Sequence, residues 1–142
     1  MKSVRRRGRS AWPFRLLTSG ATAGWMGLIF YLSSQTSPPG SGMFSWLGFL
    51  RDMLGHLGMY WVLGSLGLAC TGSWKAAASR HVGWGLLVMS LGSAYGLLDE
   101  YHQTFVPGRS ASPLDVLVDA AGVAAGVSTL WGVARLRRGA ER

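Results

Sequence analysis

The chain has 142 residues, of which 49% are hydrophobic and only 14% charged, with 21 glycines; it has the length of one domain and is too apolar for a soluble one. A formal net charge of +8 would suit a nucleic-acid partner, but the Lys and Arg residues crowd the ends of apolar segments, with no aromatic-interleaved basic patch elsewhere. This pattern argues against nucleic acid and for a small polytopic membrane protein in a lipid bilayer; the single cysteine, Cys70, excludes an internal disulfide and fits no metal-binding spacing.

Residues 1–15 form a basic tail with Lys2, Arg5, Arg6, Arg7, Arg9 and Arg15. The apolar run after it, Leu16 to Leu32, is longer than the usual core of a signal peptide and lacks an A-x-A cleavage pattern, so it reads as a retained first span. Four spans are expected, at about 16–34, 54–70, 82–98 and 114–136. Each is near the ~17–25 residues a bilayer requires of a helix, and none shows the alternation of a strand. The fold class is all-α: a polytopic bundle of four transmembrane helices forming one membrane domain over residues 1–142.

Between the first two spans, Pro38-Pro39 stops the helix, and Met43 to Leu50 is apolar but too short to cross, which suits an interfacial anchor. The tails and second loop hold all of the 14 basic residues except Arg51 and Arg109, whereas of the acids only Glu141 lies on that side. The positive-inside rule then makes both termini cytoplasmic and the first and third loops external. Trp12, Trp74, Trp84 and Trp131 near one boundary and Trp46 near the other fit an aromatic belt, leaving Trp25 and Trp61 deeper, in packing or facing lipid. The pairs Gly20/Gly24, Gly92/Gly96 and Gly122/Gly126 are spaced for close helix contact.

The chemistry gathers between Asp99 and Asp119, in DEYHQTFVPGRSASPLDVLVD. Ionisable groups at a membrane boundary are costly unless paired or wet, so such a cluster is a site hypothesis. Asp99 and His102 are at helical spacing, so the acid could orient the imidazole for general acid–base work, with Glu100 beside them. His56, with Tyr60 four residues on, adds a second imidazole from another helix. His56, Asp99, His102 and Asp119 could together hold a divalent metal.

Arg109 suits a phosphate or carboxylate as a bidentate fork, or equally an ion pair with Glu100, Asp115 or Asp119. Gln103, Asp115, Asp119 and Tyr60 complete the candidate substrate-facing set. Ser112-Pro113-Leu114-Asp115 is also a helix start, with Ser112 as N-cap and Asp115 closing a capping box. Asp119 lies one turn deeper and needs a partner, Arg109 or His56.

The pattern Asp52-x-x-x-His56-x-x-x-Tyr60, followed by Asp99-Glu100-x-His102-Gln103-x-Phe105-x-Pro107-Gly108-Arg109 and then Asp115, Asp119 and Gly122, resembles the VanZ-like family of small membrane proteins. Ser34-Gln35 at the end of the first span fits the same pattern, which covers about Ser34 to Gly126. Met53 stands where that family often has Lys, and Asp119 where Asn is common. The resemblance implies a four-helix integral membrane protein, with a founding member associated with resistance to the glycopeptide teicoplanin. Two functions follow as expectations. One is an enzyme acting on a lipid-linked or cell-wall precursor substrate at the outer leaflet; the other is a non-catalytic binding or accessory protein whose polar cluster serves recognition or structure.

Overall fold

A computed structural model describes residues 12–36, 48–72 and 78–140 and contains four helices: α1 (Trp12–Ser33), α2 (Gly48–Thr71), α3 (Ala78–Gln103) and α4 (Pro113–Ala140). Each is long and apolar enough to cross a membrane. At 1.5 Å per residue, even the 22 residues of α1 reach about 33 Å, against a hydrocarbon core of roughly 30 Å. Large apolar side chains such as Leu17, Leu91, Leu117 and Leu136 point outward, as they do where lipid is the solvent.

The helices run beyond the expected spans wherever charge interrupts hydropathy without interrupting the backbone. Residues 12–15, expected as tail, form the first turn of α1, and Arg15 donates from Nη2 to the carbonyl of Thr71 at 2.7 Å, capping the end of α2. α2 begins at Gly48 rather than Leu54, so the exposed Arg51–Asp52 ion pair lies on the helix. α3 continues through Gln103, and α4 runs past Arg137 and Arg138 to Ala140. The rest of the basic tail, Pro38-Pro39, Trp46 and most of the interfacial segment, Trp74, Lys75 and Glu141 lie outside the described residues.

Cross-helix contacts give the topology. The end of α1 meets the end of α3 through Ser33 and Asp99, and the start of α2 meets the start of α4 through His56 and Asp119. At the other end Arg15 meets Thr71, and the Trp131 ring fills the space beside Gly85. Successive helices therefore run in opposite directions, up-down-up-down.

The most extensive interface is α2 against α4, while α1 and α4 do not touch among the described residues. A Cβ at Gly64 would strike the backbone of Val123, and one at Gly126 would strike the backbone of Trp61 and Ser65. Glycine at these positions lets two backbones meet, and in lipid such dispersion contact replaces the missing hydrophobic drive. Gly92 and Gly96 likewise admit Val123 and Asp119. The Gly20/Gly24 pair behaves differently: neither residue has a neighbour within 4 Å, because the inner face of α1 carries Trp25, Met26 and Ile29 instead. The core joins Ile29, Tyr60, Leu63 and Val123, with the Trp25 indole donating to the Met59 carbonyl at 2.9 Å. Cys70 is free, half-buried, and donates to the Gly67 carbonyl.

Candidate functional site

All nine candidate residues lie at one end of the bundle, where the ends of α1 and α3 meet the starts of α2 and α4. His56, Tyr60, Asp99, Glu100, Gln103 and Asp119 are buried there, and His102, Arg109 and Asp115 are half-buried. The end of α3 is the hub. Positions 99, 100 and 103 point inward on one face because three- and four-residue steps stack on a helix, while Tyr101 faces outward against Phe105.

Asp119 finds its partner in His56: Nδ1 and Oδ1 are 3.0 Å apart, with Asp119 fully buried. With Nδ1–H donating to the carboxylate, Nε2 is left with a lone pair. Glu100 is spanned from both sides, its Oε2 accepting the Ser112 backbone N–H at 2.8 Å and its Oε1 accepting from Gln103 Nε2 at 3.1 Å. Ser112 does cap α4, with its carbonyl receiving the Asp115 and Val116 amides and its Oγ 3.4 Å from the Asp115 amide. The return half of the expected capping box is supplied by Glu100 instead of Asp115, because α3 delivers a buried carboxylate to the Ser112 amide first.

Gln103 links acids to base. Its amide nitrogen also reaches Asp99 Oδ2 at 3.3 Å, and its Oε1 accepts from Arg109 Nε and Nη2 at 3.1 and 2.9 Å. The reverse amide orientation would set oxygen against two carboxylates and NH2 against guanidinium. Arg109 therefore pairs with none of Glu100, Asp115 and Asp119, nor with any other acid among the described residues; it is held by a neutral amide. The loop that carries it turns through Gly108, at φ +80°, a left-handed conformation that glycine adopts without strain.

Asp99 and His102 do not pair. Asp99 Oδ2 accepts the Ser33 hydroxyl at 2.7 Å, and its Oδ1 has no partner. His102 turns to α1, stacking on Phe30 with centroids 4.5 Å apart, its Nε2 3.1 Å from Ser34 Oγ. Ser34 spends its one proton on the Phe30 carbonyl, so the imidazole is the donor. The three-residue spacing permits contact along one face, but packing against α1 takes the two side chains to different serines instead. Tyr60 crosses the bundle, its Cβ against Gly122 and its Cε1 against Gly96, with a buried hydroxyl that has no partner.

In front of these groups lies a cavity of about 490 Å³ bordered by His56, Gln103, Arg109, Asp115, Asp52 and Ser112 among others. Asp119 stands behind His56, outside the lining. His56, Glu100 and Asp119 each offer a ligand-type atom, all within 4.8 Å of one another. This trio overlaps the expected metal set only at His56 and Asp119, because Asp99 and His102 face α1. Residues that the sequence reading left out of the site are Ser33, which holds Asp99, and Arg51 and Asp52 at the mouth. Asp52 was signalled by its four-residue spacing to His56 and Tyr60; Ser33 carried no signal, since a serine ending a helix is ordinary.

Four antiparallel membrane-length helices with an ionisable cluster buried at one end define a multi-pass membrane protein with a polar, bundle-end site. The chain belongs to the VanZ/LLP1 family, whose model matches residues 18–135. Comparisons with curated proteins and with solved structures gave no match.

Proposed function

We propose that the chain acts on an anionic substrate presented from the bilayer, a lipid-linked or cell-wall precursor, at the outer face of the membrane. The observation that carries this reading is that Arg109 and His56 border one cavity. Arg109 is a cation anchored by a neutral amide, so its charge is not spent on a carboxylate and its remaining donors suit a phosphate. His56 is fixed from behind by a buried carboxylate, an arrangement that sets the ring and leaves its far nitrogen for chemistry.

In this reading Arg109 holds the anionic headgroup and a proton is exchanged at the His56–Asp119 end of the cavity, with Glu100 beside it. Gln103 positions Arg109, and Asp115 and Asp52 add polar contacts at the rim. The asymmetry of basic residues supports a site facing outward with both termini cytoplasmic. Family resemblance to a teicoplanin-resistance protein supports the cell envelope as the setting.

The test is mass spectrometry of membrane lipids and cell-wall precursors from cells making the wild type, Arg109→Gln or His56→Gln at equal membrane levels. A species that appears or disappears only with the wild type upholds the enzyme. Identical profiles overturn it and leave a recognition role for the cluster.

A further inference from the structure

We infer that His56, Glu100 and Asp119 form a binding site for one divalent transition-metal ion, Zn²⁺ or Mn²⁺, at the inner wall of the cavity. This deepens the reading above and rests on it for the use of the ion, whereas binding itself is tested separately.

The three side chains come from three helices, α2, α3 and α4, with ligand-type atoms within 4.8 Å of one another. Zinc bonds nitrogen and oxygen at about 2.0–2.2 Å, so small side-chain rotations that draw these atoms together by roughly 1 Å complete the set; the ion takes the place of the proton between His56 Nδ1 and Asp119, and the ring carries its proton on Nε2 instead. One imidazole with two carboxylates suits zinc or manganese; there is no thiolate to select copper(I), and too few oxygens for calcium. Only His56 of the trio borders the cavity, so an ion here keeps an open position on that side.

A second observation is independent of the cluster's composition. Tyr60 is fully buried and its hydroxyl has no partner, and the same is true of Asp119 Oδ2. The Tyr60 ring edge and Asp119 Oδ2 meet beside Gly96: a Cβ there would lie 2.9 Å from Asp119 Oδ2 and 3.3 Å from Tyr60 Cε1. The glycine keeps open the space into which an orphaned carboxylate oxygen and a tyrosine edge project. Unpaired buried polar atoms are costly, and a bound ion with its water supplies what they lack.

Charge points the same way. Glu100 and Asp119 are buried with no Lys or Arg in ion-pairing distance among the described residues. Buried carboxylates are ordinarily paired or bound to metal. Glu100 is also prepared as a ligand: the Ser112 amide and Gln103 each hold one of its oxygens, fixing the carboxylate while leaving lone pairs. An ion so held would supply a water that loses its proton near neutrality, at the wall of the cavity that Arg109 also borders.

Tag-free protein in detergent, stripped with chelator, is titrated calorimetrically with Zn²⁺ alone and Mn²⁺ alone. One saturating equivalent per chain is expected for at least one ion, weakened at least ~10-fold in Glu100→Gln and in Asp119→Asn. His102→Gln and Cys70→Ser should titrate as the wild type. Absence of a saturating equivalent in the wild type overturns the site, as does unchanged affinity in Glu100→Gln, the variant that preserves shape. Metal uptake with unchanged lipid and precursor profiles upholds the site and removes the substrate reading; altered profiles without uptake do the reverse.

Discussion

Glu100 Oε2 accepts the backbone N–H of Ser112 at 2.8 Å, so the first turn of α4 is completed by a side chain of α3. The two helices that carry the acids are thereby locked at the polar end, across a turn of nine residues, 104–112. Glu100→Ala strands the Ser112 amide and one Gln103 contact and should cost about 1–3 kcal/mol. Ser112→Ala loses only the long Oγ contact, 3.4 Å, and should fall at the low end of the ~0.5–2 kcal/mol range for N-caps. Thermal unfolding of both variants in detergent checks the order; a larger loss in Ser112→Ala would sink it.

Glycines at equal spacing should differ in consequence. Gly126→Ala sets a methyl against the Trp61 carbonyl and forces α2 from α4, an overpacking cost of about 1–3 kcal/mol. Gly24→Ala meets nothing within 4 Å and should stay within ~0.5 kcal/mol of the wild type. Parallel melts of the two variants measure the difference directly.

The contrast shows what sequence could carry. Four spans were legible because apolar length is a local property. Their ends were not: Arg51, Asp52 and Arg137 break a hydropathy run but continue a helix, since exposed charges on a helical turn are harmless to the backbone. Asp119 was legible as a buried acid in need of a partner, and His56 as one of two candidates. The choice between His56 and Arg109 required knowing that α2 packs on α4. The Asp99–His102 pairing, by contrast, rested on spacing along one helix and was undone by Ser33 and Ser34 of another.

The two histidines should therefore separate in experiment. His102 stacks on Phe30 and donates to Ser34, tying α3 to α1. His102→Gln should cost stability, on the order of 0.5–1.5 kcal/mol for the lost ring contact, with the lipid and precursor profile unchanged. His56→Gln should erase any wild-type profile. A profile lost in His102→Gln at equal protein level would return that residue to the site.

Arg109 should tolerate replacement poorly even by lysine. Two of its donors, Nε and Nη2, converge on Gln103 Oε1, a fork that a single ammonium cannot reproduce while also meeting an anion. Arg109→Lys should behave like Arg109→Gln in the precursor assay, and Gln103→Leu should weaken the same readout by freeing the guanidinium from its anchor. Wild-type behaviour of Arg109→Lys would mean that charge alone suffices.

Tyr60→Phe isolates the orphaned hydroxyl. The ring packs between Gly122 and Gly96 and is unchanged in phenylalanine, while the oxygen that is lost has no hydrogen-bond partner. Removing a buried, unsatisfied hydroxyl should leave metal-free protein as stable as the wild type or more stable, by up to about 1 kcal/mol. A saturating metal ion that gives the hydroxyl a partner through its bound water reverses the sign, so the wild type should gain more from added Zn²⁺ or Mn²⁺ than the variant does. Melting curves with and without ion read both effects. A variant destabilised by more than ~1 kcal/mol in the absence of metal would show that the hydroxyl has a partner already.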